Sequence, residues 1–265
     1  MGGLSLELRC ALDPATFARV KLAFEPDPWQ ADLLTSTSKR SLLNCCRQSG
    51  KSTSAAILAL HTAHYRPGAL VLLGSPSLRQ SRELFAKVTD FRKRLDPDLK
   101  LEEDNKTSFE LKNGSRVVCL PGTAETIRGF SAPDLIIEDE AAFVDDAFNR
   151  AVRPMLAVSN GRLILMSTPN GQRGHFHEAW SKGGDEWERV EVPARDCPRI
   201  TSEFLEKERR ALGEWHYRQE YDCAFVDSVH QLFRSADIER AITDDVKPLF
   251  LPTGELKPLF GDEAA

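Results

Sequence analysis

The chain has 265 residues, of which 35 are basic and 40 acidic, so its formal net charge is −5. Its hydrophobic content of 41 % is enough for a packed core, which excludes a wholly disordered chain. The negative charge argues against a general nucleic-acid coat, so any contact with DNA must come from a local basic patch. We expect no membrane span and no signal peptide. The six cysteines have neither C-x-x-C nor zinc spacing, which favours a reduced, cytosolic setting.

The first 40 residues are predicted to hold short helices joined by a proline-rich turn. Asp13 and Pro14 are typical of a helix start, and Pro28 precedes Gln30 at the start of another short helix. The amide of Gln30 can pair with the N6 and N7 edge of adenine, while an aromatic or proline side chain covers the base. The alternative is an ordinary proline-rich turn with an exposed amide.

A short apolar run over residues 41–46 is predicted to be a buried strand, and it leads through a tight loop into a helical stretch. In this context Gly50-Lys51-Ser52 is typical of a P-loop. Backbone N–H groups at the helix start would hold the phosphates, Lys51 would reach the β- and γ-phosphates, and the Ser52 hydroxyl would bind Mg²⁺. Cys45 stands where the P-loop pattern has its first glycine, so this stretch alone is equally compatible with an ordinary strand, turn and helix.

The next elements alternate between strand and helix, which predicts a parallel sheet with right-handed crossovers. A buried strand is expected over residues 69–74, and a long helix from about 78 to 95. This helix is either a solvated face or a surface for DNA or phosphate. Asn113-Gly114, between two strand-like stretches, predicts a β-hairpin. The helix carries the densest basic run of the chain, Arg79, Arg82, Lys87, Arg92, Lys93 and Arg94.

Three consecutive acids, Glu138, Asp139 and Glu140, end the apolar strand that starts at Asp134. The carboxyl end of a buried parallel strand faces the crevice in which α/β sheets bind ligands. There Asp139 can hold Mg²⁺ opposite Ser52, and Glu140 can orient and deprotonate a water molecule. The alternative is the start of a surface loop. An acidic pair about ninety residues after a Gly-Lys-Ser loop favours nucleotide binding instead, and Glu140 favours hydrolysis.

The rest of the chain continues the alternation and then changes character. A strand over 161–166 ends in Ser167 and Thr168, whose hydroxyls are suited to sensing the γ-phosphate; a plain turn is the alternative. A helix is expected over 202–221, and the proline-rich residues after 227 suit a linker or hairpin arm. We therefore predict four segments: 1–40 with the adenine motif, 41–192 as the P-loop core, 193–228 as a lid subdomain, and 229–265 as a linker.

Together these stretches resemble the ATPase part of a tailed-bacteriophage large terminase, the motor that pumps DNA into a procapsid. The likeness extends over about residues 24–228. The missing first glycine, with an arginine in the loop, is itself similar to this family. The resemblance implies an α/β P-loop NTPase fold of the ASCE/RecA-like class, with a central, mainly parallel β-sheet flanked by helices and a small C-terminal lid subdomain. Five features carry it: Pro28-Trp29-Gln30, the loop from Arg47 to Ser52, residues 75–81, the strand ending in Asp139-Glu140, and Ser167-Thr168-Pro169.

The resemblance also implies roles for single residues. Arg47 would contact the phosphates and respond to the nucleotide state. Arg128 would act on the nucleotide of a neighbouring subunit as an arginine finger, a group that accelerates hydrolysis by about 10³-fold or more. Ser167 and Thr168 would couple hydrolysis to movement. The predicted catalytic residues are Glu140, Lys51, Arg47 and Arg128; the predicted nucleotide-binding residues are Gln30, Gln48, Ser49, Gly50, Lys51, Ser52 and Thr53; the predicted metal ligands are Ser52 and Asp139.

The function implied is hydrolysis of ATP, with Mg²⁺, that powers translocation of double-stranded viral DNA into a procapsid in the cytoplasm of the bacterial host. The implied partners are double-stranded DNA, the portal or procapsid, a small terminase subunit and further copies of the chain in a ring, commonly of five, although the isolated chain is compatible with a monomer. Full-length members also carry an RNase H-like nuclease domain. Only a linker stands in its place here, so we expect no DNA cleavage. The alternatives are a helicase-like DNA-dependent ATPase and a module that binds ATP to assemble a ring with little turnover.

Overall fold

A mixed β-sheet lies at the centre of the computed structural model, which describes residues 2–97, 101–226 and 240–241. Its strands within these residues are Arg40–Cys45 (β1), Leu70–Ser75 (β2), Leu101–Asp104 (β3), Ser108–Leu111 (β4), Arg116–Pro121 (β5), Leu135–Asp139 (β6), Arg162–Ser167 (β7) and Glu188–Val192 (β8). They lie in the order β3-β4-β5-β2-β6-β7-β1-β8. The pairs from β5 to β8 are parallel, and the pairs that add β4 and β3 are antiparallel. The predicted α/β class with a mainly parallel sheet is confirmed.

Helices cover both faces of this sheet. Their bounds are Gly2–Leu12 (α1), Pro14–Lys21 (α2), Pro28–Thr35 (α3), Lys51–Tyr65 (α4), Leu78–Leu95 (α5), Ala124–Ile127 (α6), Asp146–Ser159 (α7), Gly174–Lys182 (α8) and Ser202–Glu220 (α9). Helix α9 is interrupted at Gly213, whose φ of 74° lies in the left-handed region. Pro154 lies inside α7 without ending it. Among the described residues, none of the helices combines the length and the apolar character that crossing a membrane requires.

The central strands are buried on both faces, and their side chains alternate between two cores. Leu43 and Ile137 point into the core formed with α4, α5 and the N-terminal helices. Leu42 and Ile136, one residue earlier on the same strands, point into the core formed with α7 and α8. Each such side chain contributes roughly 1.5–3 kcal/mol when fully buried. Continuous apolar runs therefore occur where a parallel strand is covered on both sides.

The antiparallel edge of the sheet follows the turn signal in the sequence. Strands β4 and β5 pair around Asn113-Gly114, as predicted, and Gly114 has a φ of +77°. Strand β3 and helix α6 were not predicted. The chain divides into the units Met1–Val226 and Asp227–Ala265. The predicted linker, 229–265, lies outside the described residues apart from 240–241.

The sheet order brings the carboxyl ends of three strands together. Strand β7 lies between β6 and β1, so Asp139 is in register with Met166, and Ser167 with Asn44. The loop after β1 contains the Gly-Lys-Ser stretch, and the acidic pair lies at the end of β6. Parallel strands place such loops at one edge of the sheet, where ligands bind in open α/β folds.

Candidate functional site

A cavity of about 600 Å³ opens at this edge. Residues 47–53 form its floor, and Glu140 and Phe143 line it from the end of β6. Gln80 and Lys87 contribute from α5, and Arg199 from the segment before α9. All of the predicted P-loop residues from Gln48 to Thr53 are therefore brought to one cavity. Gln30, Asp139, Arg128, Ser167 and Thr168 are not among its lining residues.

The loop from β1 to α4 has a backbone shape suited to an anion. Gln48 and Gly50 have φ values of 62° and 98°, both in the left-handed region. Left-handed residues within a tight turn direct successive N–H groups to one side, which forms a concave anion site. Gly50 is also the N-cap of α4, so the positive end of the helix dipole faces the same space. The loop thus has the backbone shape of an anion site without the first glycine of the usual P-loop pattern.

Two charged side chains of opposite sign meet beside the loop. The Lys51 Nζ lies 3.3 Å from Glu140 Oε1, and Lys51 is only 7 % exposed. The Ser167 hydroxyl donates to Glu140 Oε2 at 3.3 Å. Glu140, directly after β6, therefore links the start of α4 to the end of β7. A carboxylate held this way between a lysine and a serine is placed to accept a proton, and the lysine is placed to stabilise phosphate charge.

Asp139 is buried next to Glu140, and its environment disfavours the charged form. Burial, followed by the neighbouring charge of Glu140, raises the pKa of Asp139 to about 6. Its Oδ1 accepts a hydrogen bond from the Glu140 N–H at 3.0 Å. A buried carboxylate in this condition is suited to a cation, because the opposite charge would favour ionisation.

The donor set fits magnesium. Ser52 in the first turn of α4 and Asp139 at the end of β6 offer a hydroxyl and a carboxylate oxygen, which Mg²⁺ prefers. Within the described ranges, His, Cys, Asp and Glu side chains form no group of three or more able to hold a metal. In nucleotide sites, one or two protein oxygens hold Mg²⁺ together with the phosphates, so Ser52 and Asp139 would be enough.

Arg47 lines the cavity but is engaged elsewhere. Its Nε donates to Glu220 Oε2, at the end of α9, over 2.6 Å, and this hydrogen bond raises the pKa of Arg47. The Arg47 side chain remains 68 % exposed. Its predicted contact with phosphate is not made in this conformation and stays a prediction.

Gln30 lies against the loop rather than open to solvent. Its Oε1 accepts from the Asp27 N–H at 2.9 Å, and its Nε2 donates to the Gly50 carbonyl at 3.3 Å. Gln30 is 1 % exposed, so the alternative of an exposed amide in a plain turn is wrong. Pairing with adenine would require the amide to change partners, and that role stays a prediction.

Arg128 and Thr168 complete the predicted set. Arg128 follows α6 and is exposed, and among the described residues it forms no ion pair or side-chain hydrogen bond. The chain does not bring it to its own cavity. Thr168 is 2 % exposed directly after Ser167.

Four lining residues were not predicted for this cavity: Gln80, Lys87, Phe143 and Arg199. Gln80 and Lys87 are seven residues apart on α5 and so share a helix face. This spacing can be read from the sequence. From the sequence, Lys87 belongs to a basic run that is either a solvated helix face or a surface for DNA or phosphate. Arg199 has no local sequence signal.

A buried polar network lies on the opposite face of the sheet. Glu138 is fully buried, and its Oε1 lies 2.6 Å from Nε2 of His175. The other ring nitrogen of His175 lies 3.0 Å from Asp146 Oδ1. Burial lowers the pKa of His175, but the hydrogen bonds and negative charges of Glu138 and Asp146 together outweigh burial, so the pKa is raised. The network joins β6, α7 and α8 directly behind the acidic pair.

One protein family matches most of this chain. The model of the terminase large subunit, T4likevirus-type, N-terminal, matches residues 42–240. The chain belongs to the terminase large subunit family. The terminase large subunit of Escherichia phage T5 is 31 % identical over 191 residues, which cover 69 % of this chain and 42 % of that protein. The protein of the same name from Thermus virus P23-45 is 25 % identical and covers 86 % of this chain and 56 % of that protein. The terminase chain spans about half the length of these relatives.

Solved large terminases share the fold. The ATPase domain of the Thermus phage P74-26 large terminase has a TM-score of 0.72 at 23 % identity, and the match covers 81 % of this chain and 100 % of that domain. A large terminase from a thermophilic bacteriophage, solved with ADP, has a TM-score of 0.62 at 11 % identity, covering 76 % of this chain and 54 % of that one. The HK97 large terminase has a TM-score of 0.60 at 17 % identity, covering 87 % and 50 %. The predicted P-loop NTPase fold is confirmed.

Proposed function

We propose that this terminase chain binds and hydrolyses ATP to drive double-stranded viral DNA into a procapsid. The observation that carries the proposal is the meeting of the P-loop backbone, Lys51 and Glu140 in one cavity. Family membership and a solved relative in complex with ADP support a nucleotide as the ligand. The packaging role rests on the family alone, since the chain matches only part of its relatives.

The residues divide the chemistry between them. Glu140 accepts a proton from the attacking water, while Lys51 and the loop N–H groups stabilise the negative charge that builds on the phosphates. Ser52 and Asp139 would hold Mg²⁺, which neutralises phosphate charge when bound. Arg47 would exchange Glu220 for phosphate when nucleotide arrives.

Movement would start at Ser167. Its hydroxyl donates to Glu140. A shift of Glu140 on loss of the γ-phosphate would therefore move the loop that follows β7 through this hydrogen bond. Thr168 would extend this coupling.

Arg128 would complete the site of a neighbouring copy in a ring. Arg92 of α5 is buried and paired with Asp104, so the first candidate for contact with DNA is the exposed basic side of this helix. That side carries Arg79, Arg82, Lys93 and Arg94. The portal or procapsid and a small terminase subunit are the further partners, in the cytoplasm of the infected bacterium.

The test is Glu140→Gln, with Glu125→Gln on α6 as a matched control outside the cavity. We expect Glu140→Gln to keep its affinity for Mg·ATP and to lose phosphate release by at least about 10²-fold, the scale of a general base. Glu125→Gln should behave as the unchanged chain. Phosphate release is measured with and without double-stranded DNA and procapsids. Normal turnover in Glu140→Gln would overturn the assignment.

The same assays separate the alternatives. Strand separation by the chain would favour a helicase-like ATPase. ATP-dependent assembly without phosphate release under any condition would favour a ring-assembly module.

A further inference from the structure

Arg199 reaches from the segment before α9 back to the P-loop. Its Nη2 donates to the Ser49 carbonyl at 2.7 Å. The same guanidinium faces the Asp27 carboxylate, with Nη2–Oδ2 at 2.8 Å and Nη1 donating to Oδ1 at 3.1 Å. A planar guanidinium can serve a carboxylate and a carbonyl together because its donors are fixed in one fork. Asp27 thus holds Arg199 in the orientation that reaches the loop.

Two consecutive carbonyls of the loop are held from outside it. Arg199 binds the Ser49 oxygen, and Gln30 binds the Gly50 oxygen at 3.3 Å. In a trans peptide the carbonyl and the following N–H point in opposite directions. Fixing these two oxygens therefore directs the N–H groups of Gly50 and Lys51 away from Arg199 and Gln30. These are groups that a P-loop offers to phosphate oxygens.

Asp27 orients both Arg199 and Gln30, the two side chains that bind the loop carbonyls. Its own N–H donates to Gln30 Oε1, so one residue orients the amide on one side and the guanidinium on the other. The packing is close, because a Cβ on Gly50 would lie 2.6 Å from Gln30 Nε2 and 3.4 Å from Arg199 Nη2. Asp27 itself does not line the cavity.

We propose that Arg199, held by Asp27, is a positioning residue of the nucleotide site that sets the Ser49–Gly50 peptide for phosphate binding. The inference rests on the proposed function, since it names a further residue of the same site. It makes the shape of the loop depend on the segment that leads into α9. The polar partners of Arg199 are Asp27 and the Ser49 carbonyl, not Lys51, Glu140 or Ser167. Its loss should therefore weaken nucleotide binding and leave the chemical step of bound nucleotide nearly unchanged.

The competing explanation is that Arg199 contacts phosphate directly, since its side chain is 50 % exposed and lines the cavity. Asp27→Asn distinguishes the two explanations, because they predict opposite changes in the affinity for phosphate. If charge alone matters, removal of an acid and release of Arg199 should tighten binding of the phosphates. If Arg199 positions the loop, the same substitution removes its anchor and should weaken binding.

The experiment measures the Kd for Mg·ATP by calorimetry and kcat at saturating ATP in the full chain. We expect Arg199→Ala to raise Kd about tenfold or more, in line with loss of a hydrogen bond from a charged donor. Asp27→Asn should raise Kd by a smaller factor, and kcat should stay within about twofold in both. The double variant should bind no more weakly than Arg199→Ala, because the two residues act as one unit.

Two further variants serve as controls for Arg199→Ala. Arg195→Ala removes a nearby exposed arginine, paired with Asp222, that does not line the cavity, and should leave Kd unchanged. Arg199→Lys keeps the charge without the fork and should restore binding only in part, which also serves if Arg199→Ala fails to fold. Unchanged Kd in Arg199→Ala, full recovery in Arg199→Lys, or tighter binding in Asp27→Asn would overturn the inference. Absence of ATP binding by the unchanged chain would instead overturn the proposed function.

Discussion

At the scale of single residues, the buried carboxyl of Asp139 lowers the stability of the fold when it is ionised. Its pKa of about 6 in the folded chain lies above the value near 4 of an unfolded aspartate. The folded state therefore binds more protons between these values, and the contribution of Asp139 to stability falls as pH rises through that window. Near neutral pH, without metal, the ionised group destabilises the fold. In the proposed function, a bound Mg²⁺ would offset this cost by favouring the ionised carboxylate.

Asp139→Asn should therefore stabilise the metal-free chain. We expect a gain of roughly 1–3 kcal/mol at pH 7 and little gain at pH 4, because the amide keeps the acceptor for the Glu140 N–H without a buried charge. The same variant should lose the rise in Tm that Mg·ATP gives. Thermal unfolding at both pH values, with and without Mg·ATP, checks this. A variant less stable than the unchanged chain at pH 7 would contradict it.

Gly50 shows how one missing Cβ shapes the loop. Its φ of +98° costs any other residue about 1–2 kcal/mol, and a Cβ there would also meet Gln30 Nε2 at 2.6 Å. Gly50→Ala should lower both the free energy of unfolding and the affinity for Mg·ATP. Gly68→Ala is the matched control, since Gly68 has a φ of +72° with open space around it. Equal loss of stability in the two variants would mean that the contact with Gln30 contributes nothing.

At the scale of elements, the Glu138–His175–Asp146 network ties β6 to α7 and α8. His175→Ala would leave the Glu138 carboxyl fully buried and without its hydrogen-bond partner. Breaking a buried ion pair from one side costs about 3–5 kcal/mol. Asp146 is 47 % exposed, so Asp146→Asn should cost far less. Urea unfolding compares the two variants, and similar losses would show that Glu138 does not depend on His175.

The predictable elements are those with a local signal. Residues 69–73 and 163–166 are continuous apolar runs because parallel strands between helix layers are buried on both faces. Asn113-Gly114 specifies its own turn. In contrast, β3 (Leu101–Asp104) is a mostly exposed edge strand with three acids, and α6 has only four residues, so neither has a periodicity to detect.

The same distinction holds for the site. Asp139 and Glu140 were predictable because they lie at the carboxyl end of a buried strand, and Lys51 because it starts the helix after another such strand. The partners of the loop were not. Arg199 binds Ser49 across 150 residues, and Glu220 binds Arg47 across 173, so both contacts depend on where the segments around α9 return to the sheet. No local pattern encodes that path.

At the scale of the whole molecule, the proposed ring assigns Arg128 to the nucleotide site of a neighbouring copy. The chain supplies Lys51 and Glu140 to its own cavity but leaves Arg128 exposed and away from that cavity. If Arg128 serves a neighbour, Arg128→Ala and Glu140→Gln should each abolish ATP turnover of the assembled motor on procapsids with DNA. A mixture of the two should recover turnover, because some contacts then join an intact Glu140 to an intact Arg128 from the next copy.

The extent of recovery follows from counting. In a ring mixed at random in equal amounts, half of the sites have Glu140 and half of their neighbours have Arg128, so about a quarter of the interfaces are complete. Phosphate release should thus reach about a quarter of that of the unchanged ring when sites act independently. Lys51→Ala mixed with Glu140→Gln is the control, since both residues belong to one cavity and no complete site arises. Failure of Arg128→Ala with Glu140→Gln to exceed that control would mean that Arg128 does not act between subunits, and the ring would need another group to stabilise the transition state.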